Sequence, residues 1–495
     1  MTAAHAAVTL ARRGLLTPGA PQRIAAQLLA LRRWGYGLGG SLLSAAARSP
    51  AAVALIDPDG TLSYADLRRL SFGLARALRS EHGIGPGDRV GVLCRNHRGF
   101  VQSVAALSLL GADAVLINTA FAAEQVAAVV RDHGLRLVVH DPEFTVPPPA
   151  VVSSTLGSLT GGPIDPPARP GRTVVLTSGT TGVPKGARRP NPPGLSPLVS
   201  ILDRIPVRAR SRVQIAAPLF HTWGYAALQL AVGLRATVVL SPRFTPGQYG
   251  CDALFAVPVM LERVLEAGCA LPGVNVVAVS GSALPGDLAT RFMDAHGDVL
   301  YNLYGSTEVS WASVATPAEL RRSPATAGRP PHGTRTVILS PTGAEVPPGV
   351  VGRIFVGNDM LFEGYSGDLP VESRDGLLAT GDLGFLDEDG LLTVSGREDD
   401  MVISGGENVF PSSVEDLLAA LPAVREVAVV GVPDAEFGQR LAAFVVPHPG
   451  SALSAEEVRD HVRRHGARFA VPRDVHFVAS LPRTATGKVI KRALG

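Results

Sequence analysis

Cysteine is scarce in this chain: three in 495 residues, at Cys94, Cys251 and Cys269. An odd number without metal-like spacing argues against a disulfide framework or a cysteine-ligated zinc site, and fits free thiols in a reducing cytoplasm. Long apolar runs are missing too. No stretch of about eighteen apolar residues goes uninterrupted, and the best candidate, Ala226 to Leu240, is broken by Arg235. No membrane-crossing helix is therefore expected, and no cleavable signal peptide is evident. Charge of one sign is not in large excess. The 46 basic residues exceed the 43 acidic ones by a margin of +3, mostly arginine spread along the chain, which gives no case for a nucleic-acid partner. There is no repeat of fixed period and no heptad seam.

What the chain does have is apolar material, 46% of it, enough for a sizeable core. The length suggests two to four domains, one of them large. With 54 glycines and 40 prolines the chain is loop-rich without reaching the composition of a disordered one. Short apolar runs alternate with longer periodic ones from Arg89 onward: strands at Val90 to Cys94, Ala114 to Asn118 and Leu135 to Val139, helices at Arg98 to Leu110 and Ala122 to His133. That alternation predicts β-α-β units and parallel sheet. A proline-rich passage from Pro147 to Pro170 reads as a loop. The alternation then resumes, with strands at Arg212 to Ala216, Thr237 to Leu240, Val274 to Val279 and Val299 to Leu303, and a helix near Tyr225 to Leu234. After Gly333 the pattern turns β-like. Beyond Met401 a small separate unit is expected, with strands at Glu426 to Val430, Leu441 to Val446 and Val475 to Val478. Its helix, Ala455 to His465, is opened by Ser454 with Glu457 three residues on. Gln22 to Ala47 mixes Arg23, Arg32 and Arg33 with leucines and Trp34, and reads as an amphipathic helix able to touch a membrane surface or pack on its own domain.

Five motifs carry chemistry. Thr173 to Ala187 runs from an apolar strand into Thr177-Ser178-Gly179-Thr180-Thr181-Gly182-Val183-Pro184-Lys185. Such a loop can wrap a polyphosphate through inward N–H groups, hydroxyls and a cation. It is not a Walker A loop, since Gly186 follows the lysine. Pro218 to Gly224 places His221 and Trp223 at a strand's C-terminal end, where open α/β sheets bind ligands. Ser280-Gly281-Ser282 and Asn302-Leu303-Tyr304-Gly305-Ser306-Thr307-Glu308 each follow a strand. The second offers a ring to stack a base, a hydroxyl for a phosphate and a carboxylate for Mg²⁺. Thr380-Gly381-Asp382 exposes a carboxylate able to accept ribose hydroxyls, with Arg397 downstream. Near the end, Thr484 to Lys488 presents a lysine that alone would mean little.

In this order and at these separations, the five motifs resemble the adenylate-forming superfamily, and most of all bacterial fatty-acid CoA ligases. The likeness covers about Leu62 to Lys491. It implies an α/β fold: a large N-terminal domain of doubly wound sheets plus a β-rich part, at 46–396, and a small mobile α+β C-terminal domain at 401–495. A hinge at 397–400 centres on Asp399, and an N-terminal extension occupies 1–45. The implied activity is ATP-dependent formation of an acyl-CoA through acyl-AMP, with ATP, Mg²⁺ and coenzyme A taking part and a fatty or other apolar carboxylic acid as substrate. Lys488, Glu308 (holding Mg²⁺), Thr181 and Lys185 would be catalytic. Thr177, Ser178, Gly179, Thr180 and Gly182 would cradle phosphates. Ser280, Gly281, Ser282, Asn302, Tyr304 and Gly305 would hold adenine, Thr307 the α-phosphate, and Asp382 and Arg397 the ribose. His221, Trp223, Tyr225 and Gly281 would line the acyl pocket, and Gly405, Gly406 and Glu407 the coenzyme A path. A monomer or homodimer is implied, without a nucleic-acid partner.

The chain departs from that pattern at Arg243 to Val257, which is short for a helical crossover and reads as a tight loop, and at Ala470, where many relatives carry lysine. The alternatives are an acyl-AMP ligase that loads a carrier protein, or a ligase competent mainly in one half-reaction. Amino-acid activation is disfavoured because Phe220 to Leu230 contains no acid for an α-amine.

Overall fold

The computed structural model describes residues 3–156, 162–177, 184–247, 250–367, 370–404, 407–434, 438–484 and 487–494. Two sheets stack through a shared helical layer. The six-stranded sheet runs, in spatial order, Ala150–Val152, Leu137–His140, Arg89–Leu93, Asp113–Leu116, Thr173–Thr177 and Lys185–Arg189. It is parallel except for its last pair, Thr173–Thr177 with Lys185–Arg189, which is antiparallel and brackets the phosphate-loop sequence. The eight-stranded sheet runs Ser313–Ala315, Leu300–Tyr304, Val276–Val279, Ala253–Ala256, Arg212–Ile215, Thr237–Val239, Val53–Asp57 and Gly60–Ser63, parallel in its middle and antiparallel at both edges. One hydrophobic core spans both, joining Val90, Val92 and Leu116 of one sheet to Val213, Ile215 and Val277 of the other through the helices Leu38–Arg48, Arg98–Leu110 and Thr222–Gly233. An antiparallel sheet built around Gly352–Gly357 and Leu377–Leu386 follows, and then the C-terminal unit. That unit packs the helices Pro411–Ala419 and Ala455–His465 on its own sheet, through Val414, Leu418, Val458 and Val462.

The expected elements fall within a few residues of the observed ones because their periodicity is strong. The helix Ala455–His465 carries the anticipated reciprocal cap: Ser454 accepts from the Glu457 N–H, and Glu457 accepts from Ser454. Two expectations need correction. The passage Arg243 to Val257 has no helix among its described residues, but its later part is the buried strand Ala253–Ala256. The chain steps over Arg212–Ile215 to pair on its far side. Four apolar residues in a row give no alternation from which to read a strand.

The single N-terminal helix is in fact two, Pro21–Trp34 and Leu38–Arg48, broken at Gly35, whose φ of 73° is left-handed. The two differ in physical role. Leu38–Arg48 is a core helix, with Leu42 1% exposed. Pro21–Trp34 has no buried residue and turns Leu29, 61% exposed, outward. No helix among the described residues is long and apolar enough to cross a membrane. Leu42→Ala should cost about 2–5 kcal/mol of stability from the lost packing and the cavity left behind. Leu29→Ala should stay within about 0.5 kcal/mol. Urea midpoints of the two variants check this.

Candidate active site

Four strands, Thr173–Thr177, Arg212–Ile215, Val276–Val279 and Leu300–Tyr304, end around one crevice, as the topology of open parallel sheets favours. The crevice is the mouth of a cavity of about 1210 Å³ whose wall includes Thr177, Lys185, His221, Gly281, Thr307 and Lys488. The chain has only three lysines, Lys185, Lys488 and Lys491. Two of them line this cavity.

One side of the crevice is built from a tight turn. Gly305 leaves its strand with no room for a side chain: a Cβ there would lie 2.3 Å from the Ser310 carbonyl oxygen. This closeness folds Thr307 and Glu308 back over the strand end. The Tyr365 hydroxyl donates to Glu308 Oε1 at 2.6 Å, and Lys185 Nζ lies 5.7 Å from the Tyr365 ring centroid. The buried Arg189 guanidinium donates to the Thr307 carbonyl and to Ser310 Oγ, and burial pushes its pKa down to about 10. Thr222 Oγ1 donates to Thr307 Oγ1 at 3.0 Å. Tyr365, Arg189 and Thr222 were not singled out from sequence. Arg189 had a usable signal, being one of two arginines on the strand that begins with Lys185. Tyr365 reaches Glu308 from 57 residues away and had none.

On the other side, the Tyr304 hydroxyl donates to Asp382 Oδ2 at 2.5 Å, and Arg397 reaches Asp382 Oδ1 at 3.5 Å and the Thr380 carbonyl at 3.1 Å. Burial raises the Asp382 pKa, against the opposing pull of Tyr304, Arg397 and Lys488. Lys488 is carried by the C-terminal unit, on a loop closed by Lys488 N–H donating to Thr484 Oγ1. Gly487 in that loop has φ of 81°, and a Cβ on it would sit 2.3 Å from Val259 Cγ1 of the large domain. Only a glycine lets the loop rest there.

The structure gathers Thr177, Lys185, Ser280, Gly281, His221, Trp223, Gly305, Thr307, Glu308, Arg397, Asp399 and Lys488 around the cavity. Ser282, Asn302, Tyr304 and Asp382 are not in its wall; Tyr304 and Asp382 pair beside Arg397 instead. Ser178, Gly179, Thr180, Thr181, Gly182, Gly405 and Gly406 lie outside the described residues, as does the Glu407 side chain. Tyr225 is a correction. It stands on the opposite face of the helix Thr222–Gly233, away from the cavity, where its hydroxyl accepts from Thr173 Oγ1 at 3.1 Å. Helical geometry sends 225, 228 and 231 to one side and 223, 226, 227 and 230 to the other. Trp223 Nε1 donates to the Ala256 carbonyl at 2.9 Å, which fixes its ring in the cavity wall. His221 is held against Phe220, with its Nε2 buried and without a hydrogen-bond partner among the described residues; burial pushes its pKa down to about 4.

Comparison with known proteins agrees with this geometry. Family models described as AMP-binding enzyme and AMP-binding enzyme C-terminal domain match residues 42–366 and 413–488. A feruloyl-CoA synthase of Amycolatopsis sp is 32% identical, covering 92% of this chain and 98% of its own. A long-chain-fatty-acid–CoA ligase of Mycobacterium tuberculosis is 28% identical over 92% and 97%. The solved o-succinylbenzoate CoA synthetase of Bacillus subtilis, in complex with its acyl-adenylate intermediate, superposes with a TM-score of 0.83 at 29% identity, over 92% of this chain and 97% of that one. The chain belongs to the AMP-binding enzyme family and so to the adenylate-forming superfamily, whose acid–thiol ligases it resembles along nearly its whole length.

His221 gives a test of the site's dryness. Its folded pKa lies below the value of about 6.5 expected in the unfolded chain. The site therefore costs no stability above pH 6.5 and loses it as the pH falls toward 4. An NMR titration should place the His221 midpoint near 4; a midpoint near 6.5 would mean a wetted ring. Gly487→Ala should leave the melting temperature nearly unchanged but slow ATP–pyrophosphate exchange by more than about ten-fold, because the side chain lifts the loop, and Lys488 with it, from Val259. Single-turnover kinetics beside a melting curve check it.

Proposed function

We propose that this protein is an ATP-dependent acyl-CoA ligase that converts an apolar carboxylic acid to its acyl-adenylate and then passes the acyl group to coenzyme A. The observation that carries the reading is one continuous cavity. Its mouth collects Lys185, Lys488, Arg397, Thr307 and Glu308, and its depth follows the helix Thr222–Gly233 past Trp223, Ala227 and Leu230.

The first step brings a carboxylate against a polyphosphate. Two unit charges 4 Å apart repel by about 4 kcal/mol at the effective dielectric of a protein surface. Lys488 from one unit and Lys185 from the other offset that repulsion where the charge develops. With Tyr365 holding Glu308 Oε1, the second carboxylate oxygen remains for a divalent cation, which would neutralise phosphate charge when bound. Thr307, tethered by Thr222, is placed for the α-phosphate. Asp382 and Arg397 together suit a ribose, the acid accepting hydroxyl protons and the guanidinium donating. The phosphate-loop hydroxyls, Thr181 among them, would close over the outer phosphates. Neutral His221 and the Trp223 ring suit an uncharged acyl body next to the reacting carboxyl. The leaving pyrophosphate takes the cleaved P–O electron pair, and the acid oxygen ends bonded to the α-phosphorus. The coenzyme A thiolate then attacks the acyl carbon and AMP leaves. That second step needs Lys488 withdrawn, and a swivel at Asp399 would bring Gly405 and Gly406 to the pantetheine chain in its place.

Lys488→Ala should reduce ATP–pyrophosphate exchange by at least about a hundred-fold while sparing thioester formation from supplied acyl-AMP. Equal loss in both would contradict the assigned role. Asp399→Pro should keep exchange and lose thioester formation, because a stiffened hinge blocks the swivel.

A further inference from the structure

The cavity continues well past the residues next to the reacting carboxyl. It follows the helix Thr222–Gly233 from end to end and finishes at Arg235, where Leu15, Thr17, Pro18 and Arg48 close it. Fourteen residues at about 1.5 Å each put Arg235 roughly 20 Å from His221.

Arg235 breaks two local rules at once. Its N–H bonds to the Val232 carbonyl and that of Ala236 to the Ala231 carbonyl, so it occupies the left-handed position just past a helix end, with φ of 54°. Glycine is favoured there, and an arginine costs about 1 kcal/mol of backbone strain. It is also 2% exposed, with Nε and Nη1 buried and without a hydrogen-bond partner among the described residues. The charges acting on it are Arg210 and Arg48, both cationic. The nearby Tyr64 hydroxyl donates to the Ala236 carbonyl and is kept neutral by burial. Arg48, itself 6% exposed, donates to the Thr17 and Pro18 carbonyls. A buried guanidinium without an acid is destabilising, and doubly so on a strained backbone. A glycine or leucine would serve the fold better. A site that violates local preference without structural gain points to a ligand.

We propose that Arg235 anchors the far end of the acyl group, and that the substrate is a long apolar carboxylic acid bearing a second oxyanion about 20 Å from the carboxyl that is activated. This deepens the proposed ligase function and rests on it for the orientation of the substrate. The apolar length between the two ends is lined by Trp223, Ala227 and Leu230, and the N-terminal helices supply the cap through Leu10, Ile24 and Leu31. The two polar ends then fix one direction of binding, since the distal cation has no phosphate partner to compete for.

The test compares hexadecanedioic acid with hexadecanoic acid on the wild-type protein, Arg235→Leu and Arg235→Gly. Calorimetry should find the diacid bound at least about ten-fold more weakly by both variants, which is ~1.4 kcal/mol, with the monoacid changed less than about two-fold. Arg235→Gly should melt no lower than wild type, because it relieves both the strain and the unpaired charge, so misfolding cannot explain a loss. Equal diacid affinity in all three proteins, or an equal loss for the monoacid, would overturn the proposal. ATP–pyrophosphate exchange run on the same samples separates the two readings. Exchange with both acids but no effect of Arg235 refutes the distal anchor alone. An Arg235-dependent preference without exchange supports the anchor and refutes the ligase.

Discussion

One contact governs the arrangement of charge in this molecule: the seat of the Lys488 loop on the large domain. Gly487 can lie against Val259 because it has no side chain, and only in that position does a cation from the C-terminal unit complete a cavity whose other cations come from the large domain. Two anions cannot be pressed together in a partly dry crevice without such a set. A protein with three lysines in 495 residues places two of them there. Everything else at the site, including the Tyr365–Glu308 bond and the Thr222–Thr307 tether, orders groups around that charge.

Much of this was legible in the sequence. Alternating apolar runs mark the parallel strands, and the helix Ala455–His465 is announced by its cap. Loops at strand ends, rich in small and polar residues, point to where ligands bind. Lys185, Thr307 and Glu308 could be singled out because chemistry at a phosphate needs those residue types, and Lys488 through the resemblance to adenylate-forming enzymes. The rest depends on tertiary direction. Tyr225 looked as good a pocket residue as Trp223, and only the rotation of the helix separates them. Ala253–Ala256 is a strand buried on both faces, so it carries no alternation. Tyr365 acts on Glu308 across a long loop, a pairing that no local pattern encodes.

The N-terminal helices alter the meaning of the cavity. Read from sequence they were an appendage, a surface for a membrane or for the domain's own flank. In the fold, Leu38–Arg48 is part of the core, and residues from the helices Ala3–Arg12 and Pro21–Trp34 close the deep end of the cavity. Among the described residues no helix joins Thr237–Val239 to Ala253–Ala256, and the second of these strands supports Trp223 through the Ala256 carbonyl. Part of the cavity wall therefore comes from a segment that precedes the residues matched by the AMP-binding family model.

The most direct measurement is a crystal structure with a non-hydrolysable acyl-sulfamoyl adenosine. The account predicts the sulfamoyl group between Thr307 and Lys488, the ribose at Asp382 and Arg397, and the acyl chain laid along the helix Thr222–Gly233 toward Arg235. An acyl chain directed elsewhere, or a Lys488 loop detached from Val259 with the adenylate mimic in place, would contradict it.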